Sequence, residues 1–155
     1  MTELTVVRAA KNLELVRYDA ERAIDAAAEQ TRARFATPGK HTIYDKKLQE
    51  ATRYLDAVAA GKTPADLSKF PYMRREVGPG KTAATPSELA QLWVAMNAAW
   101  EGVSPIIEDI SITAKAKVKS ARSRADIDSI KDAAAAALDG IGDKPPRRPG
   151  TKPRR

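Results

Sequence analysis

Few residues in this chain could do chemistry, and their spacing argues against most of it. Gly78-Pro79-Gly80-Lys81-Thr82 reads like the end of a phosphate-binding loop. That motif needs a glycine five positions before Gly80, where Arg75 stands, and a strand ahead of the loop to aim its backbone N–H groups. No β-branched strand precedes it, so a plain loop is expected. His41 is the single histidine, and there is no cysteine. A metal centre or an acid–base pair needs more than one imidazole beside a turn. Glu108 and Asp109 form a carboxylate pair, but adjacent helical residues point about 100° apart, so they read as a solvated face. No set of residues offers nucleophile, base and electrophile together. The sequence therefore predicts no enzymatic activity, no metal and no cofactor. Trp93 and Trp100, seven residues apart on one helical face, are the remaining candidates. They suit core packing or the anchoring of a subunit interface, where aromatics concentrate.

Composition narrows the class further. A chain of 155 residues is expected to form one domain with a modest core. Aromatics make up only 5% of it, and alanine is abundant. Alanine faces let helices approach closely but bury little apolar area, at about 25 cal/mol per Å². Association with other chains is expected to supply part of the stability. No apolar run reaches the roughly 18 residues of a membrane span. The opening MTELTVVRAAKNLELV is interrupted by Glu3, Arg8 and Lys11, unlike a signal peptide. A soluble chain folded in a cytoplasm, with no membrane partner, is the expectation. Most of the net charge of +7 lies at the C-terminus, where Lys144, Arg147, Arg148, Lys152, Arg154 and Arg155 face Asp143 alone. The body is close to neutral, which argues against a basic folded face tracking nucleic acid.

The elements that must position these residues are helical. From about Val6 to Phe35 there is no Pro or Gly, and Ala9, Leu13, Val16, Ala20, Ala23, Ala27 and Gln30 are spaced four-three. Arg8, Lys11, Arg22, Asp25, Glu29 and Arg32 lie opposite. This predicts a helix of about 45 Å, longer than its neighbours, with Leu13 and Val16 as interface candidates. Thr37-Pro38-Gly39 ends it by turn chemistry. Thr42, with Asp45 three residues on, reads as the cap of a second helix to about Ala60. Its buried face is Tyr44, Leu48, Ala51, Leu55 and Val58, and Gly61 closes it. Together the two form a helical hairpin.

Residues 62–84 are irregular, with a short turn from Thr63-Pro64 and an aromatic cluster, Phe70-Pro71-Tyr72-Met73, expected to fold over the hairpin. Thr85-Pro86-Ser87-Glu88 is a complete helix start. The third helix buries Leu89, Leu92, Trp93, Met96, Ala99, Trp100 and Val103. Gly102 and Pro105 predict a kink or break near residues 101–104. Ile106, Ile107 and Ile110 resume the apolar face towards Val118. Ser123 and Asp126 cap a short fourth helix with Ile127, Ile130, Ala134 and Leu138. The result is an all-α, bundle-like domain over residues 1–142. An extended Pro/Arg-rich basic tail follows over 143–155. The tail can be a solvated end, or Arg147, Arg148, Arg154 and Arg155 can make carboxylate contacts on a neighbour. The tail has no aromatic for base stacking, so nucleic-acid contact would be through phosphates and salt-sensitive.

One stretch of wording adds a resemblance. Ala33-Arg34-Phe35, Thr37-Pro38-Gly39, Ile43-Tyr44, Lys46 or Lys47, Glu50-Ala51 and Tyr54-Leu55 follow one another in order. Phe70-Pro71-Tyr72-Met73, Ala98-Ala99-Trp100 and a Lys/Ala-rich helix over 113–130 come after them. This order resembles a module of small α-helical structural proteins from the tail or tail-fibre region of tailed bacteriophages, over roughly residues 20–138. Lys40 and His41 stand where that module carries small spacers. Gly102 and Pro105 interrupt a helix that the module runs straight through, which implies a bent helix here. The resemblance implies a virion protein made in the host cytoplasm. It would act without catalysis, by packing and bridging, with copies of itself or other virion structural proteins as partners. A nucleic-acid-binding accessory protein using the basic tail is the alternative.

Overall fold

Helix α1 (Glu3–Phe35) is 33 residues long in the computed structural model, which describes residues 2–142. The basic tail expected over 143–155 lies outside the described residues. Nothing between Glu3 and Phe35 breaks a helix, so the run ends only at the Pro-Gly turn. There Gly39 takes φ 76°, and the Lys40 N–H donates to the Thr37 carbonyl at 3.3 Å. A residue with Cβ is strained at that φ, which explains the glycine.

Helix α2 (His41–Ala59) starts earlier than the sequence suggested, and Thr42 is not its cap. Lys40 occupies the cap position without a side-chain hydrogen bond, and its carbonyl accepts from Ile43 and Tyr44. The turn feeds straight into the helix, so Thr42 is already inside the first turn. At the other end Gly61, at φ 70°, donates to Val58, and Lys62 donates to Ala57. This pair of bonds is the Schellman closure that the glycine predicted.

The turn expected at Thr63-Pro64 forms no helix. Asp66 instead closes an Asx-type turn by accepting from the Ser68 N–H and hydroxyl. Helix α3 (Pro71–Glu76) follows, with Pro71 in its first turn. Helix α4 (Pro86–Ser120) opens on the expected capping box: Glu88 N–H donates to Thr85 Oγ1, and Thr85 N–H to Glu88 Oε2, both at 3.2 Å. It runs through Pro105 as one helix, so of the expected kink or break there is no break. Pro105 removes the bond to the Glu101 carbonyl, but Glu101, Gly102 and Pro105 are all exposed, where water can satisfy that carbonyl. Helix α5 (Arg124–Asp139) is capped by Ser123, whose Oγ accepts from the Asp126 N–H at 3.1 Å. Named helices and one isolated bridge, Val77 to Ala83, account for the regular structure among the described residues.

The chain gathers into two compact units. Among the described residues, the first takes the chain up to Arg34 and residues 103–142; the second runs from Phe35 to Gly102. Helix α4 contributes to both, changing unit beside Pro105.

The first unit is a three-helix bundle of α1, the second half of α4, and α5. Arg17, on α1, donates to the Ala121 carbonyl at the end of α4 at 2.6 Å, while Asp25 pairs with Lys115 and Arg32 with Glu108. That order makes the two helices antiparallel. Arg34 donates to the Leu138 carbonyl at 2.8 Å and to that of Asp139 at 3.2 Å, at the end of α5, so α1 and α5 are parallel. Both arginines place positive charge at the negative end of a partner helix.

The core seam departs from the four-three stripe. Ala20, Ile24, Ala28 and Thr31 are buried on α1, while Ala23 and Gln30 are exposed. A straight helix at 3.6 residues per turn drifts about 20° per heptad, so the seam moves off a strict heptad within three turns. Ile107, Val118, Ile127 and Leu138 complete the core, and Thr31 Oγ1 donates to its own helix at the Ala27 carbonyl. Ile106, expected inside, is 50% exposed.

In the second unit Ala51 and Tyr54 of α2, Phe70 and Met73, and Leu89, Ala90 and Trp93 of α4 form one core. The Tyr54 and Phe70 rings meet edge-on, 5.7 Å apart. The aromatic cluster thus packs against α2, and Pro71 starts a helix of its own. Met96 and Val58, expected inside, are 40% and 36% exposed.

Candidate functional site

The second unit holds a buried acid and, separately, a cavity. The acid is Glu50, on the α2 face that also carries Ala51 and Tyr54. Its carboxylate accepts the Met73 N–H at 2.9 Å and the Tyr72 N–H at 3.2 Å. These are early N–H groups of α3, whose own cap residue, Phe70, has no side-chain acceptor. A residue more than twenty positions away thus caps this helix, with its charge set against the positive end of the dipole. Sequence reading missed Glu50. The available signal was a helix start with Pro71 in place and no Ser, Thr, Asp or Asn before it.

The cavity encloses about 190 Å³. Tyr44, Lys47 and Leu48 line it from α2, and Trp93, Met96 and Trp100 from α4. Three- and four-residue spacing puts each set on one helix face. The two tryptophans picked out by sequence therefore share one site. Trp93 is 7% exposed and Trp100 is half-buried. The ring of His41 lies 6.2 Å from that of Trp100, tilted by 42°.

Charge is distributed unevenly around these walls. Lys47 Nζ sits 5.3 Å from the centroid of Trp93, in cation–π range, and pairs with Glu76. Thr82 donates its hydroxyl to the same carboxylate at 3.2 Å. Asp45 also lines the cavity, is exposed, and has no ion-pair partner among the described residues. The lining is thus apolar and aromatic, with one neutralised pair and one carboxylate left over.

Thr82 donates to a carboxylate already paired with Lys47, and the ring of His41 meets that of Trp100. The volume lies below the roughly 300–1,000 Å³ of sites that enclose whole small molecules, and is on the scale of one or two side chains.

The other sequence candidates are placed elsewhere. The loop at 78–82 folds on itself: Lys81 N–H donates to the Gly78 carbonyl, and Gly78 N–H to that of Ala83. Those N–H groups point inward, away from any phosphate. Glu108 is drawn into its pair with Arg32, away from Asp109. Leu13 and Val16 are half-buried against the first unit's core, inside the protomer. Arg147, Arg148, Arg154 and Arg155 lie outside the described residues. Among the described residues no group of three or more His, Cys, Asp or Glu side chains could hold a metal ion, and no helix is long and apolar enough to cross a membrane. Compared with protein-family models, curated proteins and solved structures, the chain matches none of them.

Proposed function

We propose that this chain is a non-enzymatic structural subunit of a tailed-phage particle, in the tail or tail-fibre region. It acts by packing its helices against neighbouring subunits, either copies of itself or other virion proteins. The observation that carries the packing role is the overhang of α1. The end of α4 lies level with Arg17, and α1 continues N-terminally from there. From Glu3 to Asn12 that is about 15 Å of helix at 1.5 Å per residue. Val6 and Ala9 continue the seam of Leu13 and Ala20 on this stretch, yet Val6 is 53% exposed and Ala9 is exposed. Leu15 and Tyr18, 59% and 57% exposed, add apolar surface on another face of the same helix. A seam that outruns its partners within the protomer is suited to a neighbouring chain.

The phage assignment rests on the resemblance in wording, and the residues that carry it have structural tasks. Arg34 caps α5, Thr37-Pro38-Gly39 forms the turn, and Tyr44 and Trp100 line the cavity. Glu50 caps α3, while Ala51, Tyr54, Phe70 and Met73 form the core of the second unit. A module selected for assembly would hold such residues without any catalytic group among them.

Mass spectrometry of purified particles tests the assignment: the chain should be present in fixed stoichiometry, and its absence would overturn the virion reading. The alternative, a DNA-binding accessory protein, would show an affinity falling with salt by about 0.9 log units per log salt for each phosphate contact.

A further inference from the structure

The geometry points to a ligand for the aromatic cavity of the second unit: the chain's own Pro/Arg-rich C-terminal segment, residues 144–155. Three observations meet here. The first is wall chemistry. Tyr44, Trp93 and Trp100 present rings to one small cavity, and aromatic-lined grooves are what proline-rich segments dock against. Proline on a ring loses little conformational freedom, because its backbone is already restricted. The second is charge. Lys47 and Glu76 neutralise each other, leaving Asp45 as the carboxylate at the rim, with no ion-pair partner among the described residues. A guanidinium can bond such a carboxylate through two donors and stack on a neighbouring ring.

The third is the segment itself, KPPRRPGTKPRR, which supplies both chemistries at matching spacing. Pro146 and Pro149 are three apart, one turn of a polyproline helix, so both can lie against the same wall. Arg147 and Arg148 stand between them, and Arg154 and Arg155 follow. A cavity of about 190 Å³ takes one or two such side chains rather than a whole small molecule. The segment is supplied by the same chain or by a second copy. The second case gives a head-to-tail contact that can propagate through an assembly.

The test uses full-length protein. Arg147, Arg148, Arg154 and Arg155 are replaced by alanine to free the cavity, and a synthetic peptide of residues 143–155 is titrated in. Fluorescence and the indole N–H resonances of Trp93 and Trp100 are recorded. Saturable binding that shifts the Trp100 resonance is expected. Asp45→Asn and Trp100→Ala, added separately to the same background, should each weaken it about tenfold while thermal melting is unchanged. Both positions are at least half-exposed or half-buried rather than core, so the fold should survive. A peptide with Pro146 and Pro149 replaced by alanine should bind about tenfold more weakly at equal charge. No saturation, or equal binding by the proline-free peptide, or binding indifferent to Asp45→Asn, would overturn the assignment. Peptide binding and presence in particles are separate measurements, so either reading can fail while the other stands.

Discussion

Replacing Glu50 by alanine should unfold the second unit at a much lower temperature. Glu50 is 6% exposed, and its carboxylate accepts two backbone N–H groups, from Tyr72 and Met73, with Met73 fully buried. Hydrogen bonds to a charged group contribute about 1.5–3 kcal/mol each, so two give a gross loss of about 3–6 kcal/mol. The alanine variant no longer has to desolvate a carboxylate on folding, which offsets part of that. A net destabilisation of about 3 kcal/mol is expected, large for a single substitution. A domain of this size shifts its midpoint by about 4–8 °C per kcal/mol, so Tm should fall by about 12–24 °C. Trp93 and Trp100 both belong to this unit, so intrinsic fluorescence follows its melting directly. Glu50→Gln keeps one acceptor but turns an NH2 towards the other N–H, and should lose about half as much. A midpoint for Glu50→Ala within 4 °C of the parent would refute the capping argument. So would a Glu50→Gln variant as unstable as the alanine.

Three further outcomes are expected. Pro105→Ala restores a helix bond inside α4 and should raise stability by about 1–3 kcal/mol in urea denaturation, since Pro costs about 3 kcal/mol in a helix interior; destabilisation would mean the proline geometry is required. The Ser68 hydroxyl and N–H hold the Asp66 carboxyl below its ordinary value of 3.8. Its contribution to stability is therefore present above the unfolded-state value and lost as pH falls through the lower folded-state one; an NMR titration should show that low midpoint, and Ser68→Ala should return it towards 3.8. Val6→Glu together with Tyr18→Glu should reduce the assembled mass in sedimentation, while helix content is kept; a parent chain that is a stable monomer at micromolar concentration would contradict the role given to the α1 overhang.

Local chemistry was readable in the sequence and distant partnership was not. The capping pairs Thr85–Glu88 and Ser123–Asp126, the Pro-Gly turn and the closure at Gly61 each depend on residues within a few positions. Propensity and φ fix them wherever the segment lies. Thr42 failed as a cap because the preceding turn delivered the backbone to the helix two residues early, an outcome composition alone does not encode. The α1 seam was placed one turn-edge away from Ile24 because alanine satisfies either a heptad or a 3.6-residue stripe. In an alanine-rich helix the few large side chains decide, and Ile24 decides here.

The site was half legible for a related reason. Trp93 and Trp100 were found because their seven-residue spacing lies within one helix. That Tyr44, Lys47 and Asp45 face them across a cavity depends on how α2 meets α4, which the sequence expresses only through complementarity between distant segments. Glu50 makes the same point more sharply. In sequence it is one acid on a helix with five other charged residues, and nothing local marks it for burial. What puts it inside is the need of α3, which begins with Phe70 and Pro71 and has no acceptor of its own. A helix start lacking a local cap is thus a statement about some other residue. Where such a start must be buried, the search should turn to acids on the apolar faces of the neighbouring helices. Here Lys47 and Glu50 share the α2 face that carries Tyr54, one closing the cavity wall over Trp93 and the other anchoring the backbone of α3. One turn of α2 therefore fixes both the aromatic site and α3, which ends at Glu76. Disrupting Glu50 should loosen the Lys47–Glu76 pair, although Glu50 does not line the cavity.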